Sequence, residues 1–212
     1  MKNIIGLLVI KYIEQHKKRL CYMPWLYYSL KEKHLIWAKP WQEEIQTKLQ
    51  KLETVKIGKN CFISPQANIF AEPGRDIIIG NNVTIASDVF LHGPITIHDG
   101  ASLNAGVSID GGAKGVVIGA NTRIANNAKI YAFNHGMSPD KLIKDQPVTS
   151  QGIIICEDVW IGANACVTDG VEIGSHAIIG MGAVVTKNIL EWSIVGGVPA
   201  KIIGDRRERN NF

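Results

Sequence analysis

An aliphatic residue returns at every sixth position through the middle and C-terminal half of this chain. It stands at Ile79, Ile85, Leu91, Ile97, Leu103 and Ile109, resumes at Ile118, Ile124 and Ile130, and returns at Ile155, Ile161, Val167, Ile173, Ile179 and Val185. Four positions after most of these comes a second, smaller residue, as at Val83, Val89, Ala101, Val107, Val159, Ala165, Val171, Ala177 and Ala183. A helix repeats its apolar positions every third or fourth residue and a simple strand every second, so neither fits. Six residues suit one short extended segment and a corner. Glycine often follows the aliphatic residue (Gly80, Gly119, Gly162, Gly174, Gly180), and with Asn and Asp it supplies the backbone angles that corners require. Stacked coils of this kind pair each segment with those above and below at roughly 4.8 Å and bury one continuous aliphatic column. The competing reading, a sandwich of unrelated short strands, would have to hold one register through all these repeats. The pattern therefore predicts an all-β solenoid.

The hexads begin near Ile57 and Ile63 and are irregular through Pro73-Gly74-Arg75, where a loop is expected. Two breaks follow. Ile118 comes nine residues after Ile109, which places a three-residue bulge at a corner within Gly111 to Gly115. A longer break, residues 136–152, has no period and two prolines, and it predicts one long extruded loop with His135 beside it. A rigid rod that extrudes one long loop generally does so for function. The chain thus divides into an N-terminal segment (1–54), the coil (55–204) and a basic tail (205–212).

The N-terminal segment admits two readings. Ile4 to Ile10 is apolar but too short to span a bilayer, and no small-residue cleavage site follows. Lys17, Lys18 and Arg19 precede the aromatics Tyr22, Trp25, Tyr27 and Tyr28. The segment is either a helical cap over the open end of the coil or an interfacial anchor, with basic groups on acidic headgroups. A helix is expected over residues 41–52, with Ile45, Leu49 and Leu52 on one face.

Composition narrows the function classes. The net charge of the 212 residues is only +4 and the basic residues are dispersed, which argues against a nucleic-acid surface. Cys21, Cys61, Cys156 and Cys166 lack metal-ligand spacing and read as reduced thiols of a cytoplasmic protein.

Several segments carry a family resemblance. Asn134-His135-Gly136, Pro147-Val148, Asp158-Val159-Trp160-Ile161-Gly162, Gly182-Ala183-Val184-Val185-Thr186-Lys187 and Gly197-Val198-Pro199-Ala200-Lys201 resemble the hexapeptide-repeat acetyltransferases. The likeness covers roughly residues 55–205 and is nearest to the sugar O-acetyltransferase branch, which includes maltose and galactoside acetyltransferases and polysaccharide-biosynthesis enzymes. It implies a left-handed parallel β-helix assembled as homotrimers, with acetyl-CoA as acyl donor and no metal. It also implies His135 as general base and Asn104 at the acceptor site, with Asp110 a weaker neighbouring match. Leu103 precedes Asn104 where the family often has an aromatic. For the donor it implies Trp160 beside the pantetheine arm, Ala163 and Met181 lending backbone groups to its amides, and Thr186, Lys187 and Lys201 at the phosphate and adenine end. Where the family often has a basic residue after Ile203 this chain has Gly204, and Arg206 or Arg207 is the substitute. The remaining histidines are assigned no chemistry: His16 and His34 lie outside the coil, His92 and His98 read as turn residues, and His176 as a polar hexad position.

Moving an acetyl group from a thioester to a hydroxyl needs a base for the proton and donors for the tetrahedral oxyanion, and neutral imidazole suits the first task. No Ser or Cys is placed as an acyl carrier, so direct transfer is expected. The leading reading is an acetyl-CoA-dependent O-acetyltransferase acting on a saccharide in surface-polysaccharide biosynthesis, cytoplasmic, with the N-terminal segment able to contact the inner membrane face. The alternatives are acyl transfer to an amino sugar, serine or antibiotic, and a non-catalytic scaffold.

Overall fold

The computed structural model describes residues 12–208. The apolar stretch Ile4 to Ile10 and the end of the basic tail lie outside them. Each coil is a triangle of three very short strands, and six coils stack. The first coil holds β1 (Val55–Ile57), β2 (Phe62–Ile63) and β3 (Asn68–Phe70), the second β4 (Ile77–Ile79), β5 (Thr84–Ile85) and β6 (Phe90–His92). The third holds β7 (Ile95–Ile97), β8 (Ser102–Leu103) and β9 (Ser108–Asp110), the fourth β10 (Val116–Ile118), β11 (Arg123–Ile124) and β12 (Lys129–Tyr131). After an arm built on β13 (Asn134–His135) and β14 (Val148–Thr149) come β15 (Ile153–Ile155), β16 (Trp160–Ile161) and β17 (Cys166–Val167), then β18 (Glu172–Ile173), β19 (Ile178–Ile179) and β20 (Val184–Val185). An antiparallel pair, β21 (Ser193–Gly196) and β22 (Lys201–Asp205), closes the C-terminal end. The period of six has produced the expected solenoid, and its form is the left-handed parallel β-helix that the family resemblance implies.

Strands of two or three residues cannot persist alone, so registry between coils has to hold them. Wall one runs β1-β4-β7-β10-β15-β18, wall two β2-β5-β8-β11-β16-β19-β21-β22 and wall three β3-β6-β9-β12-β17-β20. The periodic residues stack directly: Ile79 on Ile97, Ile118, Ile155 and Ile173 in wall one, and Leu91 on Ile109, Ile130, Val167 and Val185 in wall three. These side chains are fully buried, and each contributes about 1.5–3 kcal/mol of apolar burial. Corners take the left-handed backbone: Asn82, Asp88, Asn121, Asn127, Asp158 and Asn164 all have positive φ, and at Gly106 (φ 72°) a Cβ would strike the Asn127 side chain.

The insertions share one edge of the prism. Residues 71–76, the Gly111–Gly115 bulge and the 136–152 arm all leave wall three before wall one resumes. A regular coil takes 18 residues, as in Ile77 pairing with Ile95, yet Val116 still pairs with Ile153 across the arm. The arm is more ordered than a loop without repeats suggests. Asn134 pairs with Thr149 and His135 with Val148, so it is a β-hairpin arm. Gln146 organises its tip, accepting from the Ser138 N–H at 2.8 Å and donating to the carbonyls of Ser138 and Lys141, both at 2.9 Å.

The N-terminal segment packs on the first coil as α1 (Ile13–Tyr22), a 3-10 turn (Pro24–Ser29) and α2 (Glu32–Gln50). Helix α2 begins nine residues earlier than position 41 and stops before Leu52, which is exposed. Pro40 inside it conceals the continuous helix in the sequence. Ile45 and Leu49 do pack against the column. The buried Gln42 replaces a missing strand: its Nε2 donates to the Ile63 carbonyl at 3.1 Å and its Oε1 accepts the Ile63 N–H at 2.8 Å. Gln46 likewise donates to the Cys61 carbonyl at 2.8 Å. The aromatic group divides, with Tyr27 buried against Phe62 while Tyr22 and Trp25 stay exposed. Among the described residues no helix is long and apolar enough to cross a membrane.

Candidate functional site

His135 is exposed at the root of the arm, its ring 6.0 Å from that of Phe133 in an edge-on contact. The arm is fixed at both ends. The Gly136 N–H donates to the Pro147 carbonyl at 3.0 Å, and a Cβ on Gly136 would lie 2.7 Å from Gln146 Oε1. Ser150 Oγ donates to the Ala132 carbonyl at 2.6 Å and accepts the N–H groups of Ala113 and Lys114 at 3.0 Å, which ties the arm to the bulge.

A cleft of about 470 Å³ opens beside it. Phe133 and Val148, the neighbour and the strand partner of His135, form its apolar wall. Arg75, His92 and Asp110 form a polar wall with Gly112 and Ser150. His92 is not a turn residue: it ends β6, directly in register with Asp110. Its Nδ1 lies 3.0 Å from Asp110 Oδ2, and its Nε2 lies 3.0 Å from both carboxylate oxygens of Glu72. Burial draws the His92 pKa down, but the hydrogen bonds to Asp110 and Glu72 and their charges outweigh it and raise the value overall. Those two carboxylates sit on opposite ring nitrogens, and among the described residues no group of three or more ligating side chains converges on a metal position.

The other candidate residues are distributed over different edges. Asn104 follows β8, at the edge between walls two and three, where its Oδ1 is buried without a partner. Ala163 and Met181 share that edge, and the Gly182 N–H donates to the Ala163 carbonyl at 2.9 Å. Gly162 matters here because a Cβ would fall 2.6 Å from the Met181 nitrogen. Trp160 stands exposed on wall two, between Arg123 and Ile178. Thr186 and Lys187 follow β20 on the edge that carries the arm, whereas Lys201 begins β22. Arg206 reaches the edge between walls one and two. There it donates to Asp158 Oδ2 at 2.8 Å and lies over Trp192, on which His176 stacks at 4.1 Å. The His176 hydrogen bond is the largest cause holding the Asp158 carboxyl below its ordinary pKa, with Arg206 adding to it against the opposing effect of burial. Arg207 pairs with Asp205, so both arginines fold back onto the chain. One protomer therefore gathers His135, His92, Asp110, Thr186 and Lys187 on one edge and leaves Asn104, Ala163 and Met181 on another.

A stack of three-strand coils with a single histidine-bearing arm defines a class, and this chain belongs to the bacterial hexapeptide-repeat transferases. Residues 152–187 match the bacterial transferase hexapeptide family (six repeats). Galactoside O-acetyltransferase of Escherichia coli (strain K12) is 35% identical over 95 residues, 45% of this chain and 46% of that protein. WbbJ of the same strain, named as a lipopolysaccharide biosynthesis O-acetyl transferase, is 36% identical over 96 residues, covering 42% and 49%. This chain thus spans about half the length of the curated relatives it matches. The crystal structure of a mutant of AntD, an N-acyltransferase from Bacillus cereus, in complex with dTDP-4-amino-4,6-dideoxyglucose and Coenzyme A, superposes with a TM-score of 0.68. It is 31% identical and covers 76% of this chain and 89% of AntD.

Glu72, His92 and Ser150 were absent from the sequence-based candidates. The signal for His92 was its distance of 18 residues from Asp110, one regular coil, which stacks the two side chains.

Proposed function

We propose that this protein transfers the acetyl group of acetyl-CoA directly to a hydroxyl of a saccharide, with His135 as general base. The observation that carries the reading is the exposed His135, whose strand partner Val148 and ring neighbour Phe133 both line the cleft. The chain around it is similar to a galactoside O-acetyltransferase and to an N-acyltransferase bound to coenzyme A and an amino-sugar nucleotide. The imidazole takes the proton of the acceptor hydroxyl as its oxygen attacks the thioester carbon. The C–S bond then breaks, and the imidazolium returns the proton to the departing CoA thiolate. General-base assistance of this kind is worth about 10²–10⁴ in rate. Neither Cys156 nor Cys166 lines the cleft, which favours direct transfer over an acyl-enzyme.

The separation of His135 from Asn104 supports a homotrimer in which each site is shared, with the arm-bearing edge of one protomer facing the Asn104 edge of the next. The exposed Trp160 and the Gly162–Gly180 edge then form the neighbour's half of the pantetheine groove, with the unpartnered Asn104 Oδ1 at the acceptor and Thr186, Lys187 and Lys201 toward the phosphates. Arg206 is committed to Asp158 and is replaced in that role by the two lysines. Similarity to WbbJ, named for lipopolysaccharide biosynthesis, favours an acceptor from surface-polysaccharide assembly. A second reading, acyl transfer to the amine of a sugar, is favoured by the likeness to AntD.

Thiol release from acetyl-CoA across glycosides, amino sugars and serine separates the readings. Saccharide-dependent release is expected, and His135→Ala should lower it at least about 10²-fold. Undiminished activity in that variant removes His135 from the mechanism, and turnover confined to amino sugars transfers the case to the second reading.

A further inference from the structure

His92 is an imidazole that the reaction above does not use, placed in the cleft that Val148, the strand partner of His135, helps to line. Three segments from successive coils meet on its ring. Glu72 comes from residues 71–76, His92 itself from the end of β6, and Asp110 from the end of β9. The ring lies nearly parallel to Phe70, with centroids 5.0 Å apart. Arg75 closes the circuit: its Nη1 is 3.0 Å from Glu72 Oε2, and its Nη2 donates to the carbonyls of Gly93 and Gly112. Asp110 Oδ1 accepts the Gly112 N–H at 3.0 Å.

The chemistry of the ring decides what this arrangement is for. A neutral imidazole has a single N–H, so between two carboxylates one of them would meet a lone pair. Both contacts are 3.0 Å, and only the doubly protonated ring donates to both. The charged and titratable groups facing it are Glu72, Asp110 and, through Glu72, Arg75; Tyr131, beside Asp110 on the next coil, is occupied with Ser108. The arrangement leaves acceptor capacity beside the cleft, where Glu72 is held by the cleft residues His92 and Arg75. A carboxylate offers about four lone-pair sites, and the Glu72 side chain is 54% exposed.

We propose that His92 is a positioning residue for the acceptor: as an imidazolium it fixes Asp110 on the polar wall of the cleft and Glu72 beside that wall, and their remaining lone pairs receive the hydroxyls of a neutral saccharide whose ring lies against Phe133. The proposal rests on the saccharide reading above and adds a charge preference to it. The cluster offers a phosphate or carboxylate no exposed donor nitrogen without a partner, because both ring N–H groups of His92 are taken by Glu72 and Asp110, and Arg75 Nη1 and Nη2 by Glu72 and two carbonyls.

The test is steady-state thiol release by wild type, His92→Gln and Glu72→Gln, with acetyl-CoA and methyl glycosides of neutral hexoses and their phosphates. In each variant the acceptor KM should rise at least about tenfold, while the KM for acetyl-CoA stays within about twofold, a split that a general folding defect would not give. Wild type should lose acceptor affinity as pH rises from about 6 to 9, and His92→Gln, which retains His135, should not. Imidazole nitrogen NMR tests the clamp without an acceptor and should find His92 doubly protonated near pH 6. A singly protonated ring there overturns the proposal. So does an unchanged acceptor KM in both variants beside an active wild type, or a preference for the phosphorylated glycosides. Wild-type protein that turns over no glycoside overturns the saccharide reading instead, and the acceptor role falls with it whatever the ring shows.

Discussion

At the scale of single residues, the contrast between His135 and His92 shows how far a motif can be read. His135 sits in a segment with a family resemblance, and its tripeptide was visible in the sequence. His92 carries no motif. Its partners lie 18 and 20 residues away in the chain, and only coil stacking brings them together. The consequence for stability has a definite sign. The folded-state pKa of His92 is raised, so its contribution is fully present below the unfolded-state value, about 6.5, and is lost as pH climbs through the folded value. Urea unfolding of wild type and His92→Gln should therefore differ most in mild acid and converge in alkali. A gap that widens with pH would contradict the clamp.

At the scale of elements, the coil was legible and the cap was less so. Each hexad repeats the same steric demand, an aliphatic residue inside and a permissive corner outside, so many weak signals add in phase. Helix α2 has no such repetition. Its interior Pro40 and its aromatic positions hid the first nine residues, and the demand it answers belongs to the first coil's open edge rather than to the helix. Gln42 shows this most clearly, since a buried glutamine on an apolar helix face has no local reason to be there. Gln42→Leu leaves the Ile63 N–H and carbonyl buried without partners, each at about 1–3 kcal/mol. Chemical denaturation should register a loss of about 2–6 kcal/mol, and the Ile63 amide should exchange faster while amides of the fifth coil keep their protection. Equal protection loss at both ends would mean that Gln42 acts through the whole fold rather than through the edge.

At the scale of the whole molecule, the candidate residues occupy separate edges of one prism, and that geometry was hidden in the sequence. The motifs gave the residues, but a period of six does not say which corner faces which neighbour. If sites form between protomers, two inactive variants should repair one another. His135→Ala keeps Asn104, and Asn104→Ala keeps His135. Co-expressed in equal amounts, they should assemble randomly into trimers in which about a quarter of the sites are intact. Activity should then reach about that fraction of wild type, far above either variant alone. Mixed trimers no more active than their parents would place both residues' work within one chain.

All three insertions leave the coil at the same edge, and the ladder of walls closes beneath each of them without a change of register. That edge can accept new lengths of chain at little risk to folding. Under the proposed reading the base and the acceptor cleft both lie at this edge, so a change of length in any one of the three segments alters the surroundings of the acceptor while the buried column stays as it was.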